Sequence, residues 1–346
     1  MTSSRQSLLH RFFLHIWYVK SFLSYLSVIL LLPLSVLFWV IAKLRRCYLI
    51  RQSKQLPVPI VIVGNISVGG AGKTPVVLAL VKALQEKNIH VGVISRGYGN
   101  QPKGLPLLVD EVTNVAQSGD EAKLIQRQTG CPVAVGADRV RVARYLLEQH
   151  PEVQILISDD GLQHYNLGRA FEIAVVDGKR GMGNGFCLPA GPLREPARRL
   201  NSVDLVLVNG EVDSRRSFQG IASYAKIQLE PLQWVNIKTA ESYNLNPLPW
   251  HDKKSVVAVA AIGNPQRFFT TLSQTGVHAK TVAFDDHHAF CSNDFLDFQE
   301  KIVVMTTKDA IKCSDFAGEN WWALEVAAKL PDTLVESVAN LIDLKS

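Results

Sequence analysis

The sequence predicts an α/β protein: a parallel-sheet domain, then a second, smaller α/β domain, with an apolar helix ahead of both. Three observations predict it. Six apolar runs of strand length lie between residues 59 and 209, with helical patterns between several of them. A second set of such runs follows residue 254, and residues 21–42 carry no charge. Strands apolar on both faces and separated by helices belong to a parallel sheet covered on both sides.

At 346 residues the chain has room for about two domains. Its apolar content of 47% and charged content of 20% are those of a globular protein. The five cysteines (Cys47, Cys131, Cys187, Cys291, Cys313) are odd in number, scattered and without a C-x-x-C pair. That excludes a disulfide framework or a zinc ribbon and fits a reducing compartment. The net charge of +6 is local: residues 1–56 hold eight of the 37 basic residues and none of the 31 acidic ones. No basic and aromatic interleaving occurs elsewhere, so nucleic acid is excluded as a partner. No feature identifies a protein partner either.

The first segment, 1–56, contains "SFLSYLSVILLLPLSVLFWVIA", from Ser21 to Ala42. As a helix it is about 30 Å long, the thickness of one hydrocarbon core. Trp17, Tyr18 and Trp39 stand where interfacial aromatic belts fall. A buried core helix and a cleaved signal peptide are the competing readings, the latter disfavoured because "KLRRCYLIRQSK" follows in place of a small-residue cleavage site. The helix either spans the bilayer, interrupted by Pro33, or lies in one leaflet with its basic flanks on anionic headgroups. The denser basic cluster after residue 42 puts the main body on the cytoplasmic side.

The first domain, 57–221, reads as strands at 59–64, 90–95, 132–136, 153–158, 171–177 and 203–209. Residues 178–200 are rich in Gly and Pro and read as a functional loop beside the sheet. In 222–330, "ASYAKIQL" and "QWVNIK" read as an extended pair bridging to a second unit. There "SVVAVAAIG", "AKTVAF", "KIVVMTT" and "WWALEVA" supply strands. The segment 331–346 reads as an amphipathic C-terminal helix.

The chemistry begins at "SVGGAGKTP". Ser67, Val68, Gly69, Gly70, Ala71, Gly72, Lys73 and Thr74 match G-x-x-x-x-G-K-[ST], with serine in place of the first glycine. The loop follows a strand and opens a helix, so its N–H groups and the helix dipole hold the phosphates of ATP. Lys73 bridges the β- and γ-phosphates, and Thr74 offers its hydroxyl to Mg²⁺. Pro75 costs nothing in a first helical turn. The fold class is therefore P-loop NTPase-like; the plain alternative is a glycine-rich turn. "ILISDDGLQH" places Asp159 and Asp160 at a strand's carboxyl end, where one of them binds Mg²⁺ directly or through water. The competing reading is a polar turn.

"VGNISVGGAGKTP", "VISRGYG", "GDE", "PVAVGADR", "DDGLQH", "GNG…LPAGPLREP" and "DDHHAF" resemble, in this order and over nearly the whole chain, the tetraacyldisaccharide 4′-kinase family. The resemblance implies an enzyme of lipid A, hence lipopolysaccharide, biosynthesis. It would transfer the γ-phosphoryl group of ATP to the 4′-hydroxyl of a tetraacyldisaccharide 1-phosphate at the cytoplasmic face of the inner membrane. Such a hydroxyl is a weak nucleophile and benefits from a base. Asp120, at a helix start after a glycine, takes that role through the resemblance; by itself it also reads as a helix cap. "FDDHHAF" does not suit a metal, because adjacent ligands rarely converge on one ion. The resemblance instead gives His287 the task of orienting or assisting Asp120 from the second domain and leaves His288 structural. It also implies that Arg139 or Arg194 binds the lipid 1-phosphate or the transferring phosphoryl group, with surface ion pairing as the alternative. By the same resemblance Glu195 adds a carboxylate to the metal site. Thr307 departs from the family pattern, which has Glu there, while Lys308 and Asp309 conform.

The rival from another class is a membrane-bound partitioning or positioning ATPase. Those proteins carry K-G-G-x-G-K-T, and the signature lysine is Val68 here. A non-catalytic nucleotide-binding module would leave "SGDEA" and "DDHHAF" without a purpose.

Overall fold

The computed structural model describes residues 3–4, 8–97, 105–212, 221, 223–250 and 255–343. Tyr98 and Gly99 of the "VISRGYG" stretch, and Ala222 at the expected domain boundary, lie outside the described residues.

The chain opens with β1 (Ser3–Ser4), α1 (Leu8–Tyr18) and α2 (Phe22–Arg51), which runs through Pro33. The first sheet unit then follows as β2 (Ile60–Gly64), α3 (Lys73–Glu86), β3 (Val91–Ser95), β4 (Leu107–Val109), α4 (Val115–Ser118), α5 (Asp120–Thr129), β5 (Val133–Val135), α6 (Arg139–Gln149), β6 (Ile155–Asp159), β7 (Phe171–Asp177), β8 (Leu205–Asn209) and β9 (Ala225–Ile227). Its strand order is β4-β5-β3-β6-β2-β7-β8-β9, parallel except for the edge strand β4. The continuous apolar runs are explained by burial on both faces. Val61, Val63, Ile155, Ile157 and Val175 pack with α3 and α5 on one side; Ile62, Leu156, Ala174 and Val176 pack with α6 on the other. β2 is central, and its register with β6 sets Val63 beside Asp159. The glycine-rich loop and the acidic strand end are therefore neighbours, at the carboxyl edge where open α/β sheets bind ligands.

The second unit comprises β10 (Leu229–Asn236), β11 (Ser242–Tyr243), β12 (Val256–Ala260), α7 (Pro265–Gln274), β13 (Ala279–Ala283), β14 (Ile302–Thr306), α8 (Thr307–Cys313), β15 (Trp321–Ala328) and α9 (Asp332–Ala339). Its order is β1-β13-β12-β14-β15-β10-β11, with β10 and β11 antiparallel. β9 and β10, separated by Gln228, do not pair with each other as an extended pair: β9 hydrogen-bonds in the first sheet and β10 in the second. The C-terminal helix is shorter than its pattern suggests, ending at Ala339, and crosses back. Leu334, Val335 and Val338 join the α3 side of the first unit's core.

The N-terminal helices are not a buried core element: Phe22 is 84% and Leu30 78% exposed. α2 is held to the body near its middle. Ser35 Oγ donates to the Cys187 carbonyl at 2.9 Å and accepts the Ala190 N–H at 2.9 Å, while Trp17 Nε1 donates to the Pro189 carbonyl at 3.0 Å.

Candidate active site

The phosphate loop takes its shape from three local facts. Gly69 (φ +103°) and Gly72 (φ +92°) lie in the left-handed region, where a side chain is strained. A Cβ on Gly72 would sit 2.2 Å from Asn209 Nδ2, which donates to the Ala71 carbonyl at 3.0 Å. Ser67, standing where the pattern has glycine, bridges to Leu193, and Val68 N donates to the Pro192 carbonyl at 2.8 Å. The "LPAGPLREP" loop thus braces the phosphate loop from the side. α3 begins at Lys73, so its first N–H groups face the loop's concavity.

Lys73 Nζ lies 3.4 Å from both Asn65 Oδ1 and Asp160 Oδ1. Arg194 Nη1 grips the same Asp160 carboxylate at 3.1 and 3.2 Å. Burial pushes the Asp160 pKa up, but Lys73 and Arg194 outweigh it and hold the group far below the usual carboxylate range. Asp159 is the opposite case: fully buried, with neither carboxylate oxygen receiving a hydrogen bond. Burial, and then the charge of Glu121, push its pKa up to about 7. A buried carboxylate without a donor, ending β6 beside β2, the strand whose loop leads to Lys73 and Thr74 at the start of α3, fits a cation.

Two expected site residues are placed elsewhere. Glu195 accepts from Tyr165 OH at 2.5 and 2.7 Å and lies 3.5 Å from Arg199 Nε, inside a buried cluster with Glu172. Its oxygens are engaged there, so the structure does not bring it to Asp159 and Thr74. Arg139 is 1% exposed. Its guanidinium donates to the Gly136 carbonyl at 2.8 Å and the Asp159 carbonyl at 3.4 Å, bracing the acidic strand end from behind instead of facing a lipid phosphate.

The second unit supplies the other wall. The backbone of Gly263, after β12, lies directly on the phosphate loop: a Cβ there would be 2.1 Å from Gly70 N. Asp177, at the end of β7, clamps this contact. It accepts from Asn264 Nδ2 at 2.8 Å and pairs with Arg267 at 2.9 Å, while Arg180 Nη1 donates to the Gly263 carbonyl at 2.6 Å. None of these residues carries a motif; the acid ending "FEIAVVD" is the one signal available in the sequence.

Asp120 is the first residue of α5, set by Gly119 (φ +81°), and is 5% exposed. Its Oδ1 accepts the Glu121 N–H at 2.9 Å, but the helix begins at Asp120 itself and its N-cap is Gly119, so Asp120 is not the cap that its position suggested. Its Oδ2 lies 3.2 Å from His287 Nδ1, 3.8 Å from Lys308 Nζ and 4.0 Å from Lys312 Nζ. Burial raises the Asp120 pKa, but the His287 hydrogen bond and the lysine charges overcome it and bring it to about 2. The same bond raises His287, against its own burial and Lys308. His287 has φ +60°, a left-handed conformation that turns its ring toward α5. His288 pairs with Asp294 at 3.0 Å between Phe284 and Phe290, as structure. Among the described residues no cluster of three metal-ligating side chains occurs.

These parts enclose one cavity of about 290 Å³, lined by residues 68–75, Asp160 and Arg194 on one side and by Gly263, Asp286, His287, Thr307 and Lys308 on the other. Thr307, where the family pattern has Glu, opens α8 on that wall, beside the Lys308–Glu121 ion pair at 2.9 Å.

A phosphate loop on a parallel sheet, an acid at the neighbouring strand end and a carboxylate–histidine pair across the cavity define a P-loop phosphotransferase. The particular family follows from comparison with known proteins. The model of the tetraacyldisaccharide-1-P 4′-kinase family (LpxK) matches residues 27–343, and the chain belongs to that family. It is 47% identical over 335 residues to the tetraacyldisaccharide 4′-kinase of Mannheimia succiniciproducens, covering 94% of this chain and 97% of that one. To the Pasteurella multocida enzyme it is 46% identical over 327 residues, covering 93% and 95%. The fold is similar to the crystal structure of "apo" form LpxK from Aquifex aeolicus in complex with ATP, with a TM-score of 0.73 and 29% identity over 92% of this chain and 99% of that one. The protein is therefore an ATP-dependent kinase in fold and family, and the positioning-ATPase reading is not favoured.

Proposed function

We propose that this protein transfers the γ-phosphoryl group of ATP to the 4′-hydroxyl of a tetraacyldisaccharide 1-phosphate, working at the cytoplasmic face of the inner membrane. The observation that carries the reading is the Asp120–His287 pair, joined at 3.2 Å between the two units, with His287 lining the cavity whose opposite wall is the phosphate loop. An acceptor hydroxyl lying between His287 and the γ-phosphate gives up its proton as the phosphoryl group moves. Asp120 and His287 act as one base. Asp120 is held ionised by its cations, and His287 takes up the proton that so acidic a carboxylate does not retain.

Residues 67–74 bind the phosphates, Lys73 steers charge between them, and Arg194 holds Asp160 in place for the transfer. Thr74 and Asp159 would hold Mg²⁺, which when bound neutralises charge on the transferring group. The buried Ser35 contacts support a helix lying in one leaflet. Were α2 to span the bilayer, the Cys187–Ala190 loop bonded to its middle would sit at the membrane centre. Lying flat, it brings a lipid headgroup to the mouth of the cavity.

Detergent-solubilised protein incubated with γ-labelled ATP and the disaccharide 1-phosphate should yield labelled lipid bisphosphate. Release of labelled phosphate into water with unlabelled lipid would overturn the proposal in favour of a nucleotide switch.

A further inference from the structure

Lys312 has no part in the reading above, yet it is almost buried on α8, one turn beyond Lys308. Its Nζ lies 2.7 Å from Asp309 Oδ1, 4.0 Å from Asp120 Oδ2 and 5.0 Å from the Phe290 ring centre. It does not line the cavity that the phosphate loop and His287 share. Asp309, fully buried, uses its other oxygen to accept the Ala261 N–H at 3.0 Å and the Thr306 hydroxyl at 2.8 Å. The Ala261 carbonyl accepts the His287 N–H at 3.2 Å, and Gly263, two residues on, lies against Gly70. One carboxylate therefore fixes Lys312, the backbone of His287 and the segment that rests on the phosphate loop.

We propose that Lys312, anchored by Asp309, is a positioning residue for the Asp120–His287 pair. It fixes the orientation of the Asp120 carboxylate and supplies positive charge behind it. This rests on the reading of that pair as the base. The other charged groups facing Asp120 are Glu121 on its own helix, His287 with Asp286 beyond it, and Lys308. Lys308 is already committed to Glu121 at 2.9 Å, which leaves Lys312 as the cation of α8 whose acidic partner belongs to its own helix. The geometry gives the pair a fixed, cationic backing made wholly of second-unit residues, while Asp120 belongs to the first.

The test uses the full-length enzyme and four variants: Lys312→Met, Lys312→Arg, Asp120→Asn, and the double variant Asp309→Asn with Lys312→Met, which leaves no unpaired buried charge. A charge lost at this separation shifts a neighbouring titration by about one pH unit. In Lys312→Met, kcat should fall about tenfold at neutral pH, the acid limb of its pH profile should move up by about one unit, and KM for ATP should hold. Lys312→Arg should restore the limb, and the double variant, which also loses the Asp309 charge, should show a smaller displacement in the same direction. An unmoved limb in both Lys312→Met and the double variant, with kcat normal per folded molecule, overturns the proposal and leaves an ion pair that only stabilises α8. If Asp120→Asn itself keeps the wild-type kcat and limb, the base reading fails first and takes the positioning role with it.

Discussion

Replacing Gly263 by alanine tests whether the two units must touch for the site to work. The added Cβ would fall 2.1 Å from Gly70 N, 2.9 Å from Gly69 C and 3.0 Å from Gly70 Cα, all backbone atoms without a rotamer to yield. Ordinary contact begins near 3.4 Å, so relief demands a separation of about 1.3 Å. If the second unit retreats as a rigid body, the Asp120–His287 distance grows from 3.2 Å to roughly 4.5 Å, beyond hydrogen-bond reach. A displacement of about 1 Å in a catalytic group costs on the order of 10²-fold. Gly263→Ala should therefore lower kcat about a hundredfold at saturating ATP and lipid, and His287, freed from Asp120, should titrate lower than in the parent. The assay is steady-state transfer of labelled phosphate, with the His287 ring followed by NMR across pH. Wild-type turnover with an unchanged His287 titration would refute the argument that this contact assembles the pair. The corresponding serine variant should do no better, since the clash is with Cβ itself.

Lys73→Ala should abolish phosphoryl transfer while leaving the fold intact, with a modest loss of thermal stability from the Asp160 ion pair; near-normal turnover would remove the phosphate-loop assignment. Asp120→Ala should cut kcat by roughly 10²–10⁴-fold, with a smaller change in KM for ATP, and adding His287→Ala should cost little more. The pair also fixes the sign of the pH effect. Asp120 raises His287, so kcat should fall as pH drops through a value above that of free imidazole, and Asp120→Ala should displace that limb downward. Fully multiplicative losses would show that the two residues serve different steps. Deleting residues 1–46 should release much of the protein from membrane fractions, and a truncated form still wholly membrane-bound would point to a second lipid-contacting surface, with the 178–191 loop as first suspect.

The sequence by itself determined whatever is encoded among near neighbours. Eight contiguous residues specify the phosphate loop, because its φ values and helix start depend on glycine, lysine and threonine at fixed spacing. The apolar strand runs specify a sheet buried on both faces, and the uncharged stretch specifies a long apolar helix, which the fold leaves exposed. A family resemblance added Asp120 and His287, which lie 167 residues apart, but no local pattern says that they meet. Only the tertiary structure decided that, along with the roles left to Arg139 and Glu195. An arginine in "GADR" and a glutamate in "LREP" read as ligand groups until Gly136, Asp159, Tyr165 and Arg199 are seen to occupy them. Gly263, Asp177 and Lys312 stayed unread because their functions lie in contacts across the two units. The physical reason is common to all of these. Backbone conformation and burial period follow from adjacent residues, whereas a side chain's partners, charge state and freedom to meet a ligand are set by segments that only folding brings within a few ångströms.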